Sequence, residues 1–393
     1  KAYYWHRFFS HQPDLNFDNP HVRRAVFKVM RFWLDLGVDG LRLDAIAHLY
    51  EREGTSCENL PETHAFLRAI RAEMDRRYAG RVFLAEADQT PAITKTYFGN
   101  SDECHMAFQF PLMPRLFLAL KRQDAGPIVS IVQETADIPD GAQWATFLRN
   151  HDELTISALT PADRAMMFEL YAPEPRMRLN LGIRRRLAPL LGNDPTRIAL
   201  AFCLLFSLPG SPVIYYGDEI GMGDNVWLND RDGVRTPMQW TENGGFSTCA
   251  GPLTVPMVTD LLYTCEAVNV DDQERDRQSL LWRVRGMLAA RAKSRAFGRG
   301  TIEFLTLDRG EVLAFVRRTA DDTVLVVANL AAVPIECEGD LPADLSGASL
   351  ADLFDGRVTT LATATQRFSL GPSEFRWLQV SRPAAAPSNT SPA

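Results

Sequence analysis

GVDGLRLDAIAHLYE, residues 37–51, reads as a short apolar strand running into a turn, yet Arg42 and Asp44 stand inside it. Buried parallel strands are near-continuous apolar runs, and charged side chains are rarely buried without a partner. Strand alternation puts Arg42 and Asp44, two residues apart, on one face. At a strand's C-terminal end that face lines the mouth of a pocket, where the two charges pair and stay partly wet. The segment before it, FDNPHVRRAVFKVMRFWLDLG (17–37), is punctuated as a helix. Asp18 or Asn19 can cap it, Pro20 suits the first turn and Gly37 the stop. Val22, Val26, Val29, Met30, Trp33 and Leu34 recur at helical spacing.

Working outward, helix and strand alternate. ETHAFLRAIRAEMDRRYAG (62–80) predicts a second helix closed by Gly80, and RVFLAE (81–86) a second strand. HMAFQF (105–110), WATFLRNHD (144–152) and SPVIYYGDE (211–219) predict three more strands. Helical stretches are expected around 114–121, 127–136, 161–208 and 273–297. This alternation implies βα units, an α/β class and a parallel sheet. Five strands could form an open doubly wound sheet or the second half, about strands 4–8, of a (β/α)8 TIM barrel. From about Gly300 short β-rich runs such as EVLAFVRR and TVLVVANL predict a small all-β sandwich. The expected organisation is an incomplete barrel over 1–298, a β-sandwich over 299–382 and a disordered tail over 383–393.

Of the 393 residues 46% are hydrophobic and 23% charged, as in ordinary globular chains. The net charge of −7 carries no basic footprint for nucleic acid or an anionic membrane. GIRRRLAPLL (182–191) reads as a solvated or ion-paired helix face, and ALAFCLLFSLPG (199–210) as a core helix too short to span a bilayer. Six scattered cysteines without a CxxC pair suggest reduced thiols and a cytoplasmic protein.

Acids end three of the five strands: Asp44, Glu86 and Asp152. One such acid alone is more often a helix cap or loop hydrogen bonder. Three at successive strand ends, one with an arginine two residues before it and one preceded by Asn150-His151, suit a barrel whose active site is assembled from several strand tops. Paired carboxylates suit glycosidic-bond chemistry, one attacking the anomeric carbon while a protonated one donates to the leaving oxygen. His151 beside Asp152 is a candidate sugar-hydroxyl binder.

These residues resemble the α-amylase superfamily of glycoside hydrolases and transglycosylases. QPDLN (12–16), GLRLDAIAH (40–48), LAEADQ (84–89), FLRNHD (147–152) and GSPVIYYGDEIGM (210–222) are similar to five of its short motifs, in its order. YYWHRFFSHQPDLNFDNP (3–20) and YYGDEIGMGDNVWLNDRDGVRTPMQW (215–240) resemble the branch that isomerises maltose to trehalose. The resemblance implies Asp44 as nucleophile, Glu86 as general acid/base and Asp152 as the third carboxylate. Arg42 and His151 would be substrate-site residues, with Arg231 as a further glucose contact and Arg235 nearly as good a candidate. It implies a retaining glucosyl transfer from maltose with some hydrolysis, sugar substrates (maltose, trehalose, glucose), and no organic cofactor. A structural calcium would sit on Glu51 with the carbonyls of His48 and Leu49, since oxygen ligands suit that ion. An α-glucosidase and a non-catalytic amylase-like scaffold are the alternatives. The family's first three βα units have no counterpart here, so a longer protein is expected; this part alone would be inactive and, through exposed strand edges, open to association as a homo-oligomer. Two departures from the isomerase pattern stand out: Ala47-His48 replaces Pro-Tyr, and Thr90 replaces an aromatic.

Overall fold

The computed structural model describes residues 3–249, 251–361 and 365–381; the tail read as disordered lies outside the described residues. The chain divides into two compact units, 1–111 with 132–146, and 112–131 with 147–393.

In the first unit, helix α1 (Pro20–Asp35) begins where Asn19 accepts from the His21 N–H and Pro20 occupies the first turn, and it ends before Gly37 at φ +96°. Strand β1 (Gly40–Leu43) follows, then helix α2 (Pro61–Arg77) and strand β2 (Val82–Ala85). A short helix α3 (Pro91–Thr96), absent from the sequence reading, precedes strands β3 (Met106–Phe108) and β4 (Gln143–Phe147). These strands are parallel and neighbours in chain order. Gly40 pairs with Val82 so closely that a Cβ there would meet the Val82 carbonyl oxygen at 2.7 Å, which is why glycine stands at that position. Phe66, Leu67, Ile70 and Met74 of α2 close over Phe83, Ala85, Ala107 and Trp144.

The charged strand is explained by its position. β1 lies at the edge of the sheet; Leu41 and Leu43 pack on the core, while Arg42 and Asp44 take the opposite face. The single hydrophobic face assigned to α1 divides in two. Val26, Met30 and Leu34 turn to the core, whereas Val29, Phe32, Trp33 and Leu36 are exposed.

The second unit opens with helix α4 (Leu112–Arg122), buried along nearly its whole length. The helical material expected over 161–208 is interrupted. Helix Pro161–Tyr171 stops before Pro173 and Pro175, and a small three-stranded antiparallel sheet of Leu154–Thr155, Arg178–Leu179 and Gly182–Ile183 intervenes. Helix Pro195–Ser207 then forms, with Asp194 accepting from Thr196 N–H at 2.8 Å, and is buried from Ile198 to Ser207. The following strand is only Ser211–Val213, and the helical region at 273–297 is three pieces, Val270–Arg275, Leu280–Ala292 and Ala296–Arg299.

The C-terminal domain is all-β: a six-stranded antiparallel sheet and a two-stranded one, Ile335–Asp340 with Thr365–Leu370. Alternation splits strand Val312–Arg318 between two cores. Val312, Ala314 and Val316 meet Leu325 and Val327 inside the sandwich. Arg317 points the other way and donates to the carbonyls of Ser207 (2.6 Å), Phe297 (3.1 Å), Gly300 (2.9 Å) and Thr301 (3.2 Å). The parallel strands form an open sheet, and no closed barrel exists among the described residues. Nor is any helix among them long and apolar enough to cross a membrane.

Candidate active site

The β1–β2 register sets the first cluster. Leu43 pairs with Ala85, and the Glu86 N–H donates to the Leu43 carbonyl at 3.1 Å, so Asp44 and Glu86 leave adjacent strands side by side. Arg42 reaches both: its Nη1 lies 2.9 Å from Asp44 Oδ1, and its Nη2 pairs with Glu86 Oε1. Asp44 is open to solvent (side chain 73% exposed) while Glu86 is sunk beneath it (14%). Burial, and a hydrogen bond shared with Asp44, push Glu86 up to about 7 against the opposing pull of Arg42. One buried acid that keeps its proton thus stands beside one exposed, guanidinium-paired acid. Ala45, directly after Asp44, takes a left-handed φ of +47°, a conformation that costs a non-glycine residue about 1–2 kcal/mol and turns the chain sharply out of the strand.

Past that turn, Ala47 is buried and its carbonyl accepts from Asn59 N–H at 2.9 Å. His48 is half-buried, its ring edge-on to Phe8 at 5.8 Å, and burial holds it below the usual imidazole range. Glu51 carries one buried carboxylate oxygen, Oε1, with no hydrogen-bond partner. Burial and then Asp14 push Glu51 upward. A buried orphan oxygen next to a second carboxylate is a donor set that fits a hard cation. Asp14 lies within the QPDLN motif but was not singled out from sequence. Thr90, the second departure, is the residue at which α3 starts.

In the second unit the other predicted residues gather around Asp152. Both candidate arginines reach the same oxygen, Arg231 Nε at 2.9 Å and Arg235 Nη2 at 2.7 Å from Asp152 Oδ1. Arg231 also donates to Glu153 (2.8 Å), and Arg235 to the His151 carbonyl (2.7 Å). His151 Nε2 lies 3.4 Å from Asp152 Oδ2. Beneath them Arg149, fully buried, donates to the Asp152 carbonyl at 2.6 Å and to the Arg185 carbonyl at 2.7 Å. Arg149 went unremarked in the sequence, although a charge inside the apolar run WATFLRN was the same signal that marked Arg42.

The triple arginine is not a helix face. Arg184 and Arg186 are buried, and the helix begins only at Leu187. Arg184 donates to the carbonyls of Arg176 (2.6 Å), Val226 (3.0 Å), Leu228 (2.6 Å) and Asp230, thereby fixing the loop that delivers Arg231. Arg185 pairs with Asp224 at 2.9 Å. Arg186 donates to the Tyr216 carbonyl at 2.7 Å and lies 4.7 Å from the Tyr215 and Tyr216 ring centres. Beside it, burial pushes Asp218 up to about 7 despite Arg186 and Arg149. Ion pairing was the correct part of the sequence expectation; solvation was not.

Paired carboxylates at adjacent strand ends, an arginine-held acid and a C-terminal β-domain together define a class. Residues 1–172 and 184–300 match the family model for the alpha amylase catalytic domain, and 302–377 that for the maltogenic amylase C-terminal domain. The chain belongs to the alpha-amylase family. Within it, the chain is 55% identical over 364 residues to the trehalose synthase/amylase TreS of Mycobacterium tuberculosis, a match covering 88% of this chain and 61% of that protein. It is 49% identical to the trehalose synthase of Thermus thermophilus, covering 95% of this chain and 39% of that one. The chain therefore spans less than two thirds of the length of these relatives. Among solved structures, the alpha-glucosyl transfer enzyme XgtA superposes with a TM-score of 0.73 at 27% identity, over 96% of this chain and 71% of that one.

Proposed function

We propose that these residues carry out retaining α-glucosyl transfer, converting maltose to trehalose. The observation that carries this reading is Glu86, raised to about 7 beside an Asp44 that Arg42 pairs. One guanidinium, Arg42, bridges the two carboxyls, and acids that close together suit a retaining pair better than the separation of about 6.5–9.5 Å that an inverting pair needs to seat a water. Asp44 attacks the anomeric carbon of the non-reducing glucosyl unit while Glu86 gives its proton to the glycosidic oxygen, leaving a glucosyl ester on Asp44 and free glucose. That glucose turns over; Glu86, now a carboxylate, takes the proton from its anomeric hydroxyl, and the oxygen attacks the ester carbon to give trehalose. Water at the same step gives a second glucose, the hydrolytic branch. Arg42 orients Asp44; in the second unit Asp152, pinned by Arg231 and Arg235 and flanked by His151, presents polar groups suited to sugar hydroxyls.

The parallel strands are best read as strands 4–8 of an eight-stranded barrel. In support, among the described residues β1 pairs with a strand on one side only, and Val29, Phe32 and Trp33 of α1 are exposed. On that reading the 393-residue chain alone has an incomplete pocket and little activity. A calcium ion would be held by Glu51, with Asp14 close by and the carbonyls of His48 and Leu49. It would neutralise the two acids and stiffen the turn after Asp44.

The test is incubation of the enzyme bearing a complete barrel with maltose, followed by product separation. Trehalose as the main product supports the isomerase; glucose alone would establish the α-glucosidase instead.

A further inference from the structure

Apart from the acids, the second unit contains a cavity of about 660 Å³ lined by Leu288, Arg291, Ala292, Ser294, Arg295 and Arg299, among others. The three arginines recur every four residues from the end of helix Leu280–Ala292 through Ala296–Arg299. No carboxylate lines the cavity. Arg291 is held by neutral acceptors, the carbonyls of Phe206 and Gly210. Arg295 and Arg299 are exposed, and among the described residues neither side chain forms an ion pair. The adjacent acid, Asp322, is already committed: it accepts from Ser294 Oγ (2.7 Å), Ala296 N–H (3.1 Å) and Gln379 Nε2 (2.7 Å). Buried Arg317 adds a further positive charge close enough to repel Arg291. Burial also holds Arg291 below its usual range, with no acid offsetting it. Three guanidiniums thus converge on one cavity in a chain whose net charge is −7.

We propose that this cavity binds a phosphate monoester of a small polar molecule. Guanidinium forks match phosphate oxygens in bidentate geometry and outperform ammonium groups there. The volume falls within the range of about 300–1,000 Å³ of small-molecule sites and exceeds what a bare phosphate fills. Leu288 and Ala292 supply an apolar wall for the organic part.

Calorimetric titration of the 393-residue chain tests this with three probes: glucose 6-phosphate, inorganic phosphate and glucose. Glucose 6-phosphate should bind saturably and weaken with added salt, inorganic phosphate should compete with it, and glucose should not. The double variant Arg295→Gln/Arg299→Gln, confined to exposed side chains without partners, should weaken binding about tenfold or more, while Lys28→Gln leaves it unchanged. Unaltered affinity in the double variant, an equal loss in Lys28→Gln, or displacement by glucose would each overturn the proposal.

Discussion

The molecule uses the same two side-chain types in two ways. In the first unit one guanidinium, Arg42, serves two carboxylates, Asp44 and Glu86. In the second, two guanidiniums, Arg231 and Arg235, converge on a single oxygen of Asp152, with Glu153 taking the rest of Arg231. In the first arrangement burial, and then the neighbouring Asp44, lift the sunken Glu86 to about 7 against the pull of Arg42. The second sets two guanidiniums against three carboxylates, Asp152, Glu153 and Asp230, and pins Asp152 from two sides.

The comparison breaks most readily at the nucleophile. Asp44→Asn should lower kcat for maltose by about 10⁴-fold or more, with an unchanged melting temperature; ordinary turnover would remove Asp44 from its role. Glu86→Gln should cost about 10²–10⁴-fold, but far less with an aryl α-glucoside whose leaving group needs no proton. Because Glu86 must be protonated for the first step and is raised to about 7, wild-type kcat/KM should fall as pH rises through that value. The glutamine variant should lose that limb. The same sign applies to stability: the native state holds an extra proton between the ordinary glutamate range and about 7, so stability drains away as pH rises through that window, and Glu86→Gln should flatten the change. Arg231→Gln and Arg235→Gln should each cost about 10–10²-fold in kcat/KM, and together less than the sum of their free energies, since they share one acceptor; a double-mutant cycle reads this directly. The smallest effect is expected from a chelator, a drop of about 2–4 °C in melting temperature that Glu51→Gln abolishes.

The acids were legible because period-two alternation and a strand end are local properties. An arginine two residues before an aspartate shares its face whatever the tertiary structure, and the α1 boundaries rest on a cap, a proline and a glycine. Arg184 and Arg186 misled because a run of arginines ordinarily favours water; only the loop carbonyls that approach from 216–230, far along the chain, make their burial affordable. The helical material read over 161–208 is interrupted where Pro173 and Pro175 break a helix locally, a signal that stands in the sequence itself. Val29 and Trp33 were assigned with Met30 because periodicity identifies an apolar face but not which part of it finds a partner.

Arg317 carries one further consequence. Its guanidinium, on a strand of the β-domain, donates to Ser207 at the end of helix Pro195–Ser207 and to Phe297, Gly300 and Thr301 around the junction. The chain at residue 300, where the repeat pattern changes, is therefore the inside of a single hydrogen-bonded knot. Recombination that exchanged the C-terminal module at that seam would inherit the donor without its acceptors, or the reverse. The two modules are separable in sequence but heritable only together.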